Sequence, residues 1–271
     1  VGTKRVALIT GASSGIGAAF AKALAQRQFD LILVARRLER LQKLAASLHD
    51  GFGIRTEIVQ ADLSRADDLG RLVQRVGSLE VLDLLVNNAG FGSTGYFHQT
   101  DIDSQRRMHD VHVIATMTLT HAALKGMVAR RSGAIINVSS VAASFPSPRN
   151  VSYNSTKAWM NNFTEAIHLE LRALGIPVRV QALCPGFTQT EFHQHIGINR
   201  EDLYGRPSFW MAPERVVADS LKGLEKGQWR VIPNWRYRLI VGLVEYLPDF
   251  LRQPLLIKAR YRPPQEHGHT D

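Results

Sequence analysis

Apolar, β-branched runs recur along the chain at "RVALIT" (5–10), "LILVA" (31–35), "RTEIV" (55–59), "DLLVN" (83–87), "GAIINVS" (133–139) and "PVRVQALC" (177–184). Their apolarity is nearly continuous rather than alternating, which suits strands covered on both faces, as in a parallel sheet. Between them lie segments with apolar residues at helical spacing: "GIGAAFAKALAQRQ", "RLERLQKLAASLHD", "SRADDLGRLVQRVG", and two longer ones over 104–131 and 153–174. A last short strand is expected at "WRVIP" (229–233). The alternation predicts one α/β domain over 1–233: a doubly wound parallel sheet of seven strands, with helices on both faces and right-handed crossovers. Residues 188–212 break the pattern with scattered Gly, Pro and aromatic residues, and such an insertion is expected to form a substrate lid. Residues 234–271 read as a basic, amphipathic helical extension of the same domain.

Composition narrows the class. The 271 residues, 45% hydrophobic and 21% charged, supply ample material for a buried core. A single cysteine, Cys184, excludes an internal disulfide framework, so a reducing, cytoplasmic location is expected. The opening "VGTKRVALIT" has no basic-then-apolar leader, and no window reaches the roughly 18 apolar residues of a spanning helix. Net charge is +9, and it is uneven. Between Trp229 and Arg262 seven basic residues (Arg230, Arg236, Arg238, Arg252, Lys258, Arg260, Arg262) face only Glu245 and Asp249, a net of +5. No nucleic-acid motif accompanies this charge, so nucleic acid is not an expected partner. Three readings of the tail stand: helices packed over the substrate pocket or a neighbouring subunit, peripheral contact with an anionic membrane through 234–262, or disorder, which the apolar density disfavours.

The chemistry starts where the first strand runs into "TGASSGIG", with Thr10, Gly11, Gly15 and Gly17 ahead of a helix beginning near Ile16. Glycines there permit a tight turn and let backbone N–H groups approach a diphosphate, which the helix N-terminus also attracts. The spacing is G-x-x-x-G-x-G, and "NNAG" (87–90), "SS" (139–140), "YNSTK" (153–157) and "PG" (185–186) follow it. In that order and at those spacings the chain resembles the classical short-chain dehydrogenase/reductase family over roughly residues 4–233. Five ordered motifs together are highly specific. The resemblance implies a Rossmann-like fold, hydride transfer between a nicotinamide coenzyme and a carbonyl or secondary alcohol, and a homodimer or homotetramer. A non-catalytic NADP-binding regulatory or scaffold protein of the same fold is the alternative.

Tyr153 and Lys157 stand four residues apart, which stacks them on one helix face. A free phenol, with a pKa of about 10, is a poor acid near neutrality, and a neighbouring ammonium favours its ionised form. The resemblance implies that Tyr153 is the acid/base, that Lys157 tunes it and binds the nicotinamide ribose, and that Ser140 polarises the substrate oxygen, with Ser139 a structural neighbour.

For the coenzyme, the second strand ends "VARRLER". Arg36 stands where an NAD-preferring member would carry an acid, and Arg37 follows. Guanidinium groups pair with a 2′-phosphate, so NADP(H) is expected, unless both arginines are merely solvated at a helix start. By resemblance, Ser13, Ser14 and Ile16 line the phosphate loop with Gly11, Gly15 and Gly17. Asp62 and Leu63 flank the adenine, although Asp62 could equally be a helix N-cap. Asn87, Asn88, Ala89 and Gly90 steady the sheet and shape the adenosine side, while Pro185, Gly186, Thr188 and Thr190 close over the nicotinamide. The substrate pocket is expected from 91–100, 141–152 and 188–212, with apolar and aromatic contacts.

One position departs from the family pattern. In "MHDVHVIATMTLTHAAL" His112 stands where a catalytic asparagine is usual, whose backbone carbonyl holds a proton-relay water. Two readings stand: a histidine filling the same space, or an imidazole that titrates near neutrality and tunes the proton path. No metal site is expected, because His193 and His195 lack a third ligand at a convincing spacing. Cys184 reads as a small buried apolar residue.

Overall fold

The computed structural model describes residues 4–192 and 209–260. Seven strands form one parallel sheet in the order β3-β2-β1-β4-β5-β6-β7. They are β1 (Val6–Thr10), β2 (Asp30–Ala35), β3 (Thr56–Gln60), β4 (Leu84–Asn87), β5 (Ala134–Val138), β6 (Arg179–Leu183) and β7 (Arg230–Val231). The continuous apolar runs have the cause expected of them. Along β1, Ala7 and Ile9 enter one core with Phe20, Leu24 and Leu41, while Leu8 enters the other with Leu72, Leu85 and Leu119. Successive side chains of a strand point to opposite faces, so a strand buried on both is mostly apolar. β7 is only two residues long, because Pro233 closes the predicted run.

Helices α1 (Gly15–Gln26), α2 (Leu38–Phe52) and α3 (Ala66–Gly77) follow the first three strands. The segment expected as one helix over 104–131 has three parts: α4 (Ile102–His109), a π-helical stretch (Asp110–Ala115) and α5 (Thr116–Arg130). Asp101 caps α4 by accepting from the N–H groups of Asp103 and Ser104. The π stretch inserts extra residues without ending the coil, so apolar spacing on either side still reads as one helix. α6 (Val151–Ala173) carries the Tyr–Lys pair, and α7 (Pro213–Glu225) covers the first core.

The chain order turns back between β1 and β4: β2 and β3 lie to one side of β1, and β4 to β7 to the other. Ligand crevices of such sheets lie at the carboxyl ends of the strands flanking that reversal. The glycine loop after β1 and the "NNAG" stretch after β4 meet there.

The tail forms α8 (Trp235–Tyr246) and α9 (Asp249–Arg260), separated at Pro248. Tyr237 and Val241 bury one face of α8. Its opposite face is solvated, with Trp235, Leu239, Leu243 and Tyr246 exposed in one stripe. Among the described residues no helix is long and apolar enough to cross a membrane. Of the expected lid, 188–192 and 209–212 are described, tied by a bridge from Thr188 to Met211. His193 and His195 lie outside the described residues.

Candidate active site

The glycine loop is held from across the crevice. Asn88 Nδ2 donates to the carbonyls of Thr10 (2.9 Å) and Gly11 (3.2 Å), while Thr10 Oγ1 accepts from the N–H groups of Asn88 and Ala89. Gly11 has φ +65°, and a Cβ at Gly17 would sit 2.3 Å from the Gly11 carbonyl oxygen. Any side chain at Gly17 would therefore break the turn. Ser14 leaves the N-terminus of α1 without a side-chain cap. Asn87 is buried and works within the sheet, donating through Nδ2 to Thr120 Oγ1 (3.0 Å) and Asn137 Oδ1 (2.9 Å). Ile16 packs against the core beside the loop.

The arginine that reaches the glycine loop is Arg37. Its Nη2 donates to Ser14 Oγ (2.7 Å) and Ser13 Oγ (3.0 Å), and its Nε to Ser13 Oγ (3.2 Å). Its Nη1 pairs with Glu191 Oε2 (2.9 Å), and Arg40 Nη1 pairs with Glu191 Oε1 (2.6 Å). Arg36 is exposed, and among the described residues it makes no ion pair. Arg40, which the sequence analysis passed over, lies one helical turn beyond Arg36 and comes to the same carboxylate as Arg37. An uncapped helix start, a loop with room only for glycine, and Arg37 beside two hydroxyls with Arg40 at the same carboxylate form a donor set that fits a phosphorylated dinucleotide.

Asp62 is not the cap of α3, which begins at Ala66. Its Oδ1 accepts from the N–H (3.0 Å) and hydroxyl (2.8 Å) of Ser64, forming a local turn. Leu63 is buried in the second core.

At the end of β5 the two serines divide their roles. Ser139 is buried and donates to the Lys157 carbonyl (3.1 Å). Ser140 is half-buried, and its Oγ accepts from the Ala142 N–H (3.1 Å) at the start of a 3₁₀ turn, Val141–Ser144. Lys157 lies on α6, 5% exposed, and Nζ donates to the Val138 carbonyl at 2.8 Å. The ammonium sits 5.9 Å from the Tyr153 ring centroid. Burial lowers its pKa from 10.5 to about 8, opposed by the Cys184 sulfur, so most molecules keep the charge near pH 7. Cys184 is itself buried, with Sγ against Asn161 Oδ1 at 3.3 Å, and burial raises its thiol pKa.

Because Lys157 titrates lower in the fold than in an unfolded chain, the unfolded state binds more protons between about pH 8 and the ordinary lysine value near 10.4. Stability from this site must therefore rise with pH across that window. Thermal unfolding of wild type and Lys157→Met should show the variant relatively more stable at neutral pH, with the gap closing above about pH 8. A gap that stays constant to high pH contradicts the lowered value.

His112 is fully buried in the π stretch. Nε2 accepts from the Phe91 N–H at 3.1 Å, which leaves the proton on Nδ1 to be donated to Thr156 Oγ1 (2.9 Å). The Thr156 hydroxyl in turn donates to the Tyr153 carbonyl (2.9 Å). Gly90 makes room, since a Cβ there would lie 2.8 Å from Nε2. Desolvation, then Lys157 and His109, hold the imidazole well below its ordinary value of 6.5, hence neutral. Of the two readings of His112, this favours the histidine that fills the space over the one that titrates near neutrality. The unfolded state takes a proton as pH falls through about 6.5 and the folded state resists it, so stability is lost on the acid side. Wild type should lose more melting temperature than His112→Asn between about pH 7.5 and about pH 5.5. Equal losses would show that the imidazole is not held neutral.

The loop after β6 leans on the tail. Val141 donates to the Pro185 carbonyl (3.0 Å), and Thr188 Oγ1 donates to the Gly186 carbonyl (3.0 Å). Tyr237 of α8 packs so closely over Gly186 that a Cβ would fall 2.1 Å from its ring. Its hydroxyl accepts from the Phe187 N–H and donates to the Phe209 carbonyl, both at 3.0 Å. Glu245 of α8 accepts from Ser144 Oγ (2.7 Å) and Arg230 Nη2 (2.6 Å), tying the turn after Ser140 to the tail. Thr190 lies against Gly15, with Cγ2 3.0 Å from where a Cβ would be, and Phe192 stands 5.7 Å from the Tyr153 ring. Among the described residues no cluster of His, Cys, Asp and Glu could hold a metal.

Comparison with known proteins agrees with this layout. The short chain dehydrogenase family matches residues 5–201. A short-chain dehydrogenase from Sphingobium yanoikuyae, solved in complex with NADPH, is 33% identical, with TM-score 0.81 over 96% of this chain and 98% of that one. The bulky-bulky ketone specific alcohol dehydrogenase from Comamonas testosteroni is 29% identical, with TM-score 0.76 over 97% of this chain and 96% of that one. The human inactive hydroxysteroid dehydrogenase-like protein 1 is 29% identical over 253 residues, 91% of this chain and 73% of its own. With its parallel sheet, glycine loop and Ser–Tyr–Lys set in the family's order, the chain belongs to the short-chain dehydrogenase/reductase family.

Proposed function

We propose that the chain is an NADP(H)-dependent oxidoreductase that interconverts a ketone and a secondary alcohol, with Tyr153 as acid/base. The observation that carries this reading is the buried Lys157 beside the Tyr153 ring, pinned at the end of β5 next to Ser140. When bound, the coenzyme supplies or accepts the hydride. The chain's own residues supply the rest. Ser140 donates to the carbonyl oxygen and orients it, while Tyr153 protonates that oxygen as negative charge grows on it. Lys157, kept from water by α6 and β5, favours the ionised phenol that results. His112 and Thr156 act behind the tyrosine, holding its backbone rather than moving protons.

Arg37 and Arg40 support NADP(H) over NAD(H), since a 2′-phosphate pairs with guanidinium groups and a ribose diol does not. A bulky, apolar ketone is supported by the Phe192 ring beside Tyr153 and by the likeness to the Comamonas enzyme. Steady-state kinetics on a panel of bulky and small ketones with each coenzyme tests this. The reading expects turnover with NADPH and a preference for the bulky members; equal efficiency with NADH would remove the coenzyme assignment. The match to a relative named inactive supports a second reading, a coenzyme-binding protein without turnover. Tight NADPH binding with no turnover across the panel would favour it.

A further inference from the structure

Glu191 is the one carboxylate that Arg37 and Arg40 share among the described residues, and it sits within the coenzyme crevice. Its neighbours on both sides also touch the site: Thr190 packs on Gly15 of the glycine loop, and Phe192 on the Tyr153 ring. We propose that Glu191 is an internal competitor for the coenzyme's 2′-phosphate, a specificity-determining residue that occupies the guanidinium pair which the phosphate must take. This rests on the NADP(H) reading above.

Charge decides which anion prevails. The two guanidiniums carry +2 and one carboxylate returns −1, whereas a phosphate monoester near pH 7 returns about −1.5 to −2 in a wider fork of acceptors. Arg37 is also held by Ser13 and Ser14, so it stays aimed at the loop when the carboxylate leaves. Glu191 is held ionised, its pKa lowered first by Arg40 and then by Arg37, so it competes as a full charge at neutral pH. A coenzyme without the 2′-phosphate brings no anion to this place and leaves the pair intact. The competition therefore weakens NADPH binding and spares NADH, and it makes discrimination between them smaller than the arginines alone would allow. The three side chains are each more than a third exposed, and exposed ion pairs are weak, so the effect is limited.

The test is direct binding of 2′,5′-ADP, NADPH and NADH to full-length wild type, Glu191→Gln and Glu191→Ala, measured by calorimetry. Both variants should bind 2′,5′-ADP and NADPH about three- to tenfold more tightly, with NADH changed less than about twofold. If Glu191 merely braces the loop, both variants bind both coenzymes more weakly, and the proposal is overturned. Unchanged affinity for 2′,5′-ADP overturns it as well. Wild type that binds NADH as tightly as NADPH would instead remove the NADP(H) reading on which it rests, so the two failures are distinguishable.

Discussion

Tyr153→Phe should lower turnover by about a thousandfold while NADPH binds within about twofold of wild type. In the proposed reaction the phenol gives the substrate oxygen its proton, and general acid catalysis contributes about 10²–10⁴-fold. The ring itself makes the contacts with Phe192 and His112, and phenylalanine keeps them. The loss should therefore fall on the chemical step and not on the fold. Rapid-mixing measurement of NADPH oxidation alongside equilibrium binding separates the two. Near-normal turnover would remove Tyr153 from its role.

Arg37→Ala should weaken NADPH by about 10- to 100-fold and NADH by less than about threefold. Each hydrogen bond from a guanidinium to a charged partner is worth about 1.5–3 kcal/mol, and Arg37 is the arginine braced against both loop serines. Arg36→Ala should change either coenzyme by less than about threefold, because its side chain lies exposed at the strand end. The ratio of NADPH to NADH dissociation constants in the two variants is the measurement. A larger effect at Arg36 than at Arg37 would reverse the assignment.

The same arginines show what was legible in the chain and what was not. The run "VARRLER" put guanidinium groups where β2 ends, and the fold brings one of them, Arg37, to the glycine loop. Which guanidinium arrives depends on how the strand passes into α2, and a one-residue step swings a side chain by about 100° once helical. Arg40 and Glu191 are 151 residues apart in the chain, and their meeting is a product of the tertiary fold. The strands were readable for the opposite reason. Burial on both faces makes most positions apolar, with hydrogen-bonded exceptions such as Asn87 and Asn137, and leaves a local signature. The π stretch left none, since it changes hydrogen-bond register without changing which residue types are buried. His112 could be found as a departure from motif, but its neutrality follows from the Phe91 N–H, the Thr156 hydroxyl and complete burial, none of them adjacent to it in sequence. Gly186 is a glycine at a strand end for a packing reason, the close approach of the Tyr237 ring, which lies far from it in sequence.

Transfer of the label from 4,4-dideuterated NADPH to a bulky ketone is the direct test of an active NADP(H)-dependent reductase. With wild type, deuterium should appear on the carbinol carbon of the product, at one equivalent per coenzyme oxidised, and Tyr153→Phe should suppress it by about a thousandfold. NADPH bound tightly with no deuterated alcohol formed from any member of the panel would contradict it.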